Sequence, residues 1–431
     1  MPTHEFNKRD VGLKLITFLQ VFTITICSIK KVTLESLAFE CEELQHGLTI
    51  TKQALQKRLY EGKKSLELLL AATIITVMTY KIDEPTTVTV LNQFSAVLIT
   101  DATTISLPEK LEEYHKGLGG TNAKSAMKIQ ATYDIKTKCF RKISLRDNAT
   151  ESDCSYMDEL IKDIKPNELY INDLGYYSVA HFIKIDEKGA YFISKIKSNT
   201  ILYAENGSKI SIARKHKRSN YIDEIVTIKG SNKKSMKVRL CGIKLPPKVY
   251  DERIRKARKA SKSGLTKEKI ERLKWILIVT NVSEDMLDNQ AVCEIYRIRW
   301  TIELIFKTWK SHFSIDKMNN IGKDYWDCLI LGRLIVITML TALHSKLHFL
   351  VLQTSGRGVS FLRFMKHMSD SLDKVMDLFT YKISDEEMII TINRVIRFSL
   401  IEKRKRKTTE ETIAGFDMPS DCINLISDLA V

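Results

Sequence analysis

The stretch from Tyr296 to Lys310 reads Y-R-I-R-W-T-I-E-L-I-F-K-T-W-K. Placed on an α-helix at about 100° per residue, four polar side chains share an arc of about 60°: Tyr296, Arg299, Glu303 and Lys310. Apolar side chains fall on the other side: Ile298, Ile302, Ile305 and Trp309. The stretch therefore predicts one amphipathic helix. The simplest interpretation is a surface helix in which Arg299 and Glu303 form an ordinary ion pair.

Two aspartates further upstream follow short runs of strand-forming residues. The run S-A-V-L-I-T from Ser95 to Thr100 predicts a buried central strand, and Asp101 follows it. The run L-Y-I-N from Leu169 to Asn172 predicts another strand, and Asp173 follows it. We expect both carboxylates to protrude at the carboxyl ends of their strands. Each acid on its own could equally be a turn or cap residue.

The spacing Y-x2-R-x3-E-x6-K resembles the signature of insertion-sequence transposases of the DDE class, and specifically of the IS-four family, which is marked by Y-R-E-K. The filling W-x-I-E-x-x-F-K-x-W-K resembles the same family. So do D-A-T at Asp101 and D-x-G-Y-x-S at Asp173. The likeness covers about residues 95 to 320, and the region before it is short for the family.

This resemblance implies that three acids are catalytic and bind metal: Asp101, Asp173 and Glu303. They would hold Mg²⁺, with Mn²⁺ as a substitute, because hard oxygen ligands suit such cations. Two divalent cations about 4 Å apart can activate an oxygen nucleophile and stabilise the leaving 3′ oxygen of a phosphodiester. The resemblance therefore implies two-metal cleavage of DNA without a covalent enzyme intermediate.

The resemblance also implies DNA contacts. Arg299 and Lys310 would hold phosphates near the scissile bond, and Tyr296 would contact a phosphate through its hydroxyl. Trp275 lies about where relatives keep a tryptophan that stacks on a flipped base. A core residue at the end of a strand is an equally open interpretation of Trp275.

The pattern between these motifs predicts the fold. Met127 to Ile135 and Cys139 to Leu145 predict an antiparallel hairpin, a helix begins at Val179, and Ala190 to Lys195 predict a further strand. The resulting βββαβ order looks like a ribonuclease-H-like core. We expect an α/β fold with a mixed sheet flanked by helices, a mainly β insertion, and helical N-terminal and C-terminal regions.

Charge is concentrated in the predicted insertion. The chain carries a net charge of +16. Between Lys195 and Lys274 there are 24 Lys/Arg and 7 Asp/Glu, a surplus of 17 that leaves the remaining chain at −1. A basic helix from Asp251 to Ser263 belongs to this segment, and five of its residues are predicted to bind DNA: Arg253, Arg255, Lys256, Arg258 and Lys259.

The N-terminal region predicts a helix-turn-helix. A helix from Thr33 to Leu44 is followed by a turn at Gly47 and by Thr51 as the N-cap of the next helix. Three residues of that helix are predicted to contact DNA: Gln53, Lys57 and Arg58. A plain helical packing domain is the alternative.

Five regions follow from these patterns: 1–88 helical and DNA-binding, 89–198 first part of the catalytic core, 199–284 basic insertion, 285–350 second part of the core, and 351–431 helical. The eight cysteines are scattered without C-x-x-C, which is typical of reduced thiols. Apolar runs at Val11 to Ile29 and Leu329 to Leu343 contain charged residues and predict buried helices, not membrane spans.

The leading hypothesis is a bacterial-type cytoplasmic, nucleoid-associated DNA transposase. It would bind the terminal inverted repeats of its element as a homodimer on double-stranded DNA, excise the element, in this family typically through a hairpin intermediate, and join it to a target. The alternatives are a ribonuclease-H-like nuclease without strand transfer and a transposase-derived DNA-binding protein.

Overall fold

A computed structural model describes residues 12–28, 32–79, 89–119, 124–216, 218–230, 234–261, 264–317, 322–372 and 384–401. The chain divides into two compact units. The first unit contains Met1–Glu84, Ala102–Thr150 and Ile302–Lys403; the second contains Pro85–Asp101, Glu151–Thr301 and Arg404–Val431. A run of charged residues from Glu402 to Lys407, E-K-R-K-R-K, lies outside the described residues. The five-region division stays a prediction.

The described residues form ten strands. They are β1 (Ala96–Leu107), β2 (Ser125–Asp134), β3 (Cys139–Arg146), β4 (Glu168–Asn172), β5 (Tyr191–Lys195), β6 (Leu202–Tyr203), β7 (Lys209–Ile210), β8 (Tyr221–Lys229), β9 (Ser235–Lys244) and β10 (Trp275–Thr280).

The helices of the first unit are mostly N-terminal and C-terminal in the chain. They are α1 (Leu15–Gln20), a π-helical segment (Val21–Thr25), α2 (Ile26–Ser28), α3 (Leu34–Leu44), α4 (Lys52–Gln56) and α5 (Leu59–Thr79). The second unit contributes α6 (Asp153–Asp163), α7 (Val179–Glu187), α8 (Ile212–Lys215), α9 (Pro247–Ala260), α10 (Lys267–Leu273) and α11 (Asn289–Arg297). The last four are α12 (Trp300–His312), α13 (Lys323–Ser355), α14 (Phe361–Ser369) and α15 (Asp385–Ser399).

The sheet is mixed, as predicted. In the second unit the first half of β1 pairs in parallel with β4, and β4 pairs in parallel with β5. Beyond β5 the order is β10, β9, β8, β6 and β7. In the first unit β2 and β3 form the predicted antiparallel hairpin beside β1. The order of the first five strands is therefore 3-2-1-4-5, which is the ribonuclease-H-like order.

Strand β1 is longer than predicted. It continues through Asp101 to Leu107, whereas its parallel pairing with β4 stops at Thr100. The prediction that Asp101 stands at the end of a strand was therefore wrong. The physical reason is that β1 also borders β2 in the sheet, and the β-branched residues Thr103, Thr104 and Ile105 favour an extended chain beyond the end of the β4 pairing.

The core of the second unit fixes the turn that carries Asp173. Helix α7 begins one residue after Tyr177–Ser178 and packs its Phe182 ring on Phe192 of β5, with ring centres 4.2 Å apart and planes nearly parallel. Tyr177 meets the edge of Phe182 at 5.1 Å. All three rings are almost fully buried, so their packing against one another fixes the position of the turn between β4 and α7.

The basic segment is anchored by one carboxylate. Glu268 of α10 accepts hydrogen bonds from the Ser211 hydroxyl at 2.7 Å and from the backbone N–H groups of Ile212 at 3.0 Å and Ala213 at 3.3 Å, all at the start of α8. It also pairs with Arg272 Nε at 3.1 Å. Burial alone would raise the pKa of Glu268, but these hydrogen bonds outweigh it and hold the pKa below its ordinary value.

The core of the first unit is built on α13, which was predicted as a core helix. By length and composition alone this helix could cross a membrane, yet 83% of its most apolar window is buried inside the protein. Its Ser345 hydroxyl donates to the carbonyl of Thr137, in the turn between β2 and β3, at 2.7 Å. The helix therefore packs as a core element of this unit.

A glycine sets how closely α13 approaches the π-helical segment. A Cβ at Gly332 would lie 1.6 Å from the carbonyl oxygen of Phe22 and 2.9 Å from the Ile26 side chain. Real side chains do not tolerate such separations, so the two helices are in backbone contact here. Gly62 of α5 plays a similar part, because a Cβ there would meet the Phe18 ring at 2.1 Å.

We expect Gly332→Ala to destabilise the protein by at least about 1–3 kcal/mol, since the methyl group forces backbone apart. Differential scanning calorimetry should show a melting temperature several degrees lower. The matched control is Gly322→Ala, at the N-cap of the same helix, where a Cβ would meet nothing within 4 Å. Equal melting temperatures for Gly332→Ala and Gly322→Ala would contradict the close contact.

We expect Glu268→Gln to lower the melting temperature at pH 7 by a few degrees, because charged hydrogen bonds of this kind each contribute about 1–3 kcal/mol. The folded pKa of Glu268 lies below the unfolded one, so its stabilisation is complete above about pH 4.5 and is lost as the pH falls through the folded pKa. The difference from wild type should therefore shrink in acid. Glu205→Gln, at an exposed pair with Lys237, is the control and should change little.

Candidate functional site

The parallel register of the second unit brings two aspartates together. The last paired residues are Thr100 and Asn172, so Asp101 and Asp173 are the next residue on each of two neighbouring strands. Arg299 lies between the two carboxylates. Its Nη1 is 3.5 Å from Asp101 Oδ2, and its Nε is 3.5 Å from Asp173 Oδ1. One guanidinium thus offsets two carboxylates that would otherwise repel each other.

Tyr296 belongs to the same cluster. Its hydroxyl donates a hydrogen bond to Asp173 Oδ1 at 3.4 Å, and the residue is only 6% exposed. Burial raises the pKa of Tyr296 well above its ordinary value, and the nearby Arg299 opposes this only in part. The phenol is therefore neutral at physiological pH and available as a hydrogen-bond donor.

Lys195 also belongs to this cluster, although the sequence motifs did not predict it. Its ammonium lies 5.5 Å from the centre of the Tyr296 ring. Burial lowers the pKa of Lys195, the neighbouring Arg253 and Arg299 lower it further, and Asp173 opposes them. The available signal was the strand register, because Lys195 follows Ser194, which pairs with Asn172 immediately before Asp173.

The predicted single helix over Tyr296 to Lys310 is wrong, because the helix is broken. Helix α11 ends at Arg297 and α12 begins at Trp300. In the turn between them Ile298 N–H bonds to Ile295 O at 3.0 Å and Arg299 N–H to Tyr296 O at 3.2 Å, a tighter i to i−3 pattern. A constant 100° projection therefore does not hold across Arg299.

Glu303 and Lys310 are in the first unit, on α12. Glu303 lies in the first turn of that helix, and Lys310 donates from Nζ to the carbonyl of Thr104 at 3.0 Å. Lys310 therefore contacts the second half of β1, three residues after Asp101.

Trp275 is placed in the core. It is 3% exposed at the start of β10, belongs to the apolar cluster of the second unit, and has Lys244 Nζ at 5.6 Å from its ring. Its buried indole N–H lacks a hydrogen-bond partner among the described residues. Its contact with an unstacked base stays a prediction.

The predicted DNA-binding helices differ in exposure. The basic helix is α9, which begins at Pro247, earlier than expected, and its Arg253 is partly buried beside Lys195. The other four predicted residues are exposed: Arg255, Lys256, Arg258 and Lys259. Lys256 pairs with Glu252 at 2.9 Å.

In the N-terminal region the helix, turn and helix order is present as α3, a turn with Gly47 at φ +80, and the short α4. Thr51 caps α4 by accepting from Ala54 N–H at 3.2 Å. Gln53 and Lys57 are exposed, whereas Arg58 is 5% exposed. DNA contact by Gln53 and Lys57 stays a prediction, and the burial of Arg58 does not favour it there.

The aspartate pair suits a divalent cation, because two carboxylates that flank one positive charge supply hard oxygen donors. Within the described ranges, no group of three or more His, Cys, Asp or Glu side chains is placed to hold a metal ion. The pair therefore fits part of a metal site, and the predicted third ligand, Glu303, lies in the other unit.

Residues 92–339 match the family model of the transposase DDE domain. The chain belongs to the DDE transposases. It is therefore an enzyme that acts on DNA, and its family depends on divalent metal. The predicted membership in this class is confirmed, and placement in the IS-four family fits.

Similar curated proteins span most of this transposase. The transposase for insertion sequence element IS231B of Bacillus thuringiensis subsp. berliner is 29% identical over 415 residues, covering 90% of this chain and 85% of that protein. The transposase for IS1151 of Clostridium perfringens is 27% identical over 392 residues, covering 84% and 80%.

A solved structure of piggyBac transposase in a synaptic complex with hairpin DNA aligns with 95% of this chain and 83% of its own, at 12% identity and a TM-score of 0.41. A likeness of that size supports no conclusion about this transposase.

Proposed function

We propose that this transposase binds the terminal inverted repeats of its insertion sequence, cleaves the phosphodiester bonds at the element ends, and joins the resulting 3′-hydroxyl ends to target DNA. The observation that carries the proposal is the meeting of Asp101 and Asp173 around Arg299 at the edge of the parallel strands. Two acids and a forked cation are the groups that metal-assisted phosphoryl chemistry needs at one place.

In this proposal Asp101, Asp173 and Glu303 hold Mg²⁺, with Mn²⁺ as a substitute. When bound, the cations would supply activation of the attacking oxygen and stabilisation of the leaving one. The protein groups have separate tasks. Arg299 exchanges its carboxylate partners for phosphate oxygens, and the neutral Tyr296 hydroxyl donates to a phosphate.

Further DNA contacts are proposed outside the cluster. Lys310 holds a phosphate from α12, and the exposed cations of α9 meet the backbone of duplex DNA: Arg255, Lys256, Arg258 and Lys259. Gln53 and Lys57 of α4 would contribute to binding of the ends. We propose that two copies of the chain assemble on the paired ends, in the bacterial cytoplasm at the nucleoid.

A nuclease that hydrolyses DNA without strand transfer is the second candidate, since Asp101 and Asp173 alone would serve either reaction. A transposase-derived protein that only binds DNA is a third. The acids count against the third candidate, and the reaction products separate the first two.

We expect Asp101→Asn, Asp173→Asn and Glu303→Gln each to reduce Mg²⁺-dependent cleavage of end DNA by more than about 100-fold while leaving DNA binding largely intact, because each removes a metal ligand but not a phosphate contact. The measurement is nicking of labelled end DNA on a denaturing gel beside a binding titration. Asp158→Asn, at an exposed ion pair with Lys184, is the control and should cut normally. Wild-type cutting by any one of the three variants removes that acid from the proposed ligand set.

A different pattern is expected for Arg299→Ala and Lys310→Ala. Each removes a charged phosphate contact, which is worth about 1.5–3 kcal/mol, or roughly 10–150-fold. Joined product and any hairpin should fall more than first nicking, because the later steps must hold the cut end. Products are resolved over time on intact and pre-nicked DNA. The control is Lys307→Ala, at an exposed position of α12, the helix that carries Lys310. If wild type nicks efficiently but never joins with any divalent metal, the nuclease is the correct alternative.

A further inference from the structure

A lysine-lined cavity of about 530 Å³ lies in the second unit, outside the aspartate cluster. It is bounded by the turn after β4, the chain after β5, and the ends of β8 and β9. The side chains that matter most are Tyr177, Lys197, Thr200, Tyr203, Lys229 and Lys234. Cavities of this size accommodate small organic ligands, so it exceeds the needs of a single bound water or ion.

Aromatic rings hold two of the lysines in place. Lys229 Nζ lies 4.2 Å from the centre of the Tyr203 ring, and Lys197 Nζ lies 5.4 Å from that of Tyr177. Lys197 also donates to the Tyr177 carbonyl at 3.2 Å. Such cation–π contacts position an ammonium group without neutralising its charge.

The third lysine is fixed through the backbone. Gly230 N–H donates to the carbonyl of Lys234 at 2.8 Å, which brings Lys234 close to Lys229. Gly230 also packs on α7, because a Cβ there would lie 3.1 Å from Val179 Cβ. Lys229 and Lys234 are exposed and reach the cavity from this turn.

The described side chains that line the cavity carry positive charge without any acidic side chain to balance it. None of the described residues that bound the cavity is Asp or Glu, and besides the lysines it offers the polar side chains of Ser178, Asn199 and Thr200. Three ammonium groups with neutral hydrogen-bonding groups suit an anion that carries several oxygens, and a phosphate group has that chemistry. A neutral or cationic ligand would leave the charges uncompensated.

The cavity adjoins the aspartate cluster along the chain. The turn from Asp173 to Ser178 connects them on one side. On the other side Lys195 faces Tyr296, and Lys197 faces the cavity. Two residues of extended chain span at most about 7 Å. A DNA strand with one phosphate near Asp173 can therefore place a nearby phosphate in the cavity.

We propose that this cavity binds a phosphodiester group of the DNA strand that passes the aspartates, and so anchors that strand beside the cleavage point. The inference rests on the proposed function, because it takes DNA as the ligand. A free phosphate ion or nucleotide shares the same chemistry, and the experiment distinguishes these sources.

The test is the triple variant K197Q/K229Q/K234Q of the full chain, with binding to a fluorescein-labelled duplex and to its single strand measured across salt concentrations. Each neutralised phosphate contributes about 0.7–0.9 to the slope of log affinity against log salt, so losing the one phosphate held in the cavity should reduce the slope by about 0.7–0.9. The matched control is K162Q/K165Q/K188Q, with three lysines of the same unit: Lys162 and Lys165 are exposed, and Lys188 is half-buried just beyond the opposite end of α7. The control should keep the wild-type slope to within about 0.3, well below the loss of one phosphate contact.

Because Lys197 also bonds to the backbone, K229Q/K234Q is measured as well and should show most of the slope change of the triple variant. K229R/K234R should retain the wild-type slope, since arginine keeps the charge. Equal slope changes in the triple variant and the control would overturn the proposal, because they would show that DNA responds to the overall positive charge of the unit and not to a phosphate held in the cavity. An unchanged slope in the triple variant would overturn it too.

Inorganic phosphate separates the two sources. If millimolar phosphate raises the melting temperature of wild type but not of K229Q/K234Q, and the DNA slope is the same in both, the cavity takes free phosphate and our proposal is overturned. These outcomes are independent of the proposed function, which fails if wild type does not cut end DNA or cuts it without ever joining it to a target. A wild type that binds no DNA overturns both.

Discussion

Two like charges set next to each other by strand register need a cation between them. In this transposase the parallel pairing of β1 and β4 ends at Thr100 and Asn172, and backbone geometry leaves Asp101 and Asp173 as neighbours. Arg299 supplies the positive charge at 3.5 Å from each carboxylate. Because these groups are partly exposed, the pairing is of moderate strength and can be exchanged for other ions. Such exchange is what the proposed binding of metal and phosphate at this cluster requires.

The position of Arg299 depends on the break between two helices. Were α11 to continue without interruption, Arg299 would follow Tyr296 at a fixed rotation of about 300°. The i to i−3 bonds at Ile298 and Arg299 tighten the chain there. Tyr296 and Arg299 consequently reach Asp173 together, the first through its hydroxyl and the second through Nε.

Much of this arrangement was predictable from sequence, and the failures have physical causes. Strand-forming runs located the hairpin and the parallel strands because their β-branched and apolar residues are buried. The end of β1 was missed because Asp101 interrupts the run of strand-forming residues, whereas the pairing with β2 continues the strand through Thr103 to Ile105. The break at Ile298 has no glycine or proline to announce it. Lys195 was missed because only register, not a motif, connects it to Asp173.

The sequence pattern also did not decide which of the predicted DNA-contacting side chains are buried. Trp275 and Arg58 carry side chains that suit DNA contact, and both lie inside the protein. Amphipathic side chains like these become buried when neighbouring residues pack against their apolar parts. Residue type alone therefore does not reveal whether such a side chain lies in the core or on the surface. The cluster of Asp101 and Asp173 could be anticipated because each aspartate directly follows a strand-forming run, and the parallel register of the two runs places these residues side by side.

The basic segment shows how a positively charged region can fold at all. The side chains of four of its seven acids are at most partly exposed and pair with cations of the same segment: Asp223 with Arg239, Glu224 with Lys215 and His216, Glu268 with Arg272, and Glu271 with Lys274. Arg239 in addition donates to the carbonyl of Leu287, in the loop that leads into α11. Internal acids therefore stabilise the fold locally, while the surplus lysines remain outside.

The backbone contact at Gly332 has a practical consequence for anyone who shortens this protein. Phe22 and Ile26 cover α13 at a separation that only a hydrogen atom allows. A truncated version that begins after residue 32, made to isolate the proposed metal ligands, would uncover a strip of a 33-residue apolar helix. Such a product should form inclusion bodies on expression even though it keeps Asp101, Asp173 and Glu303. Soluble fragments should therefore retain the first helices.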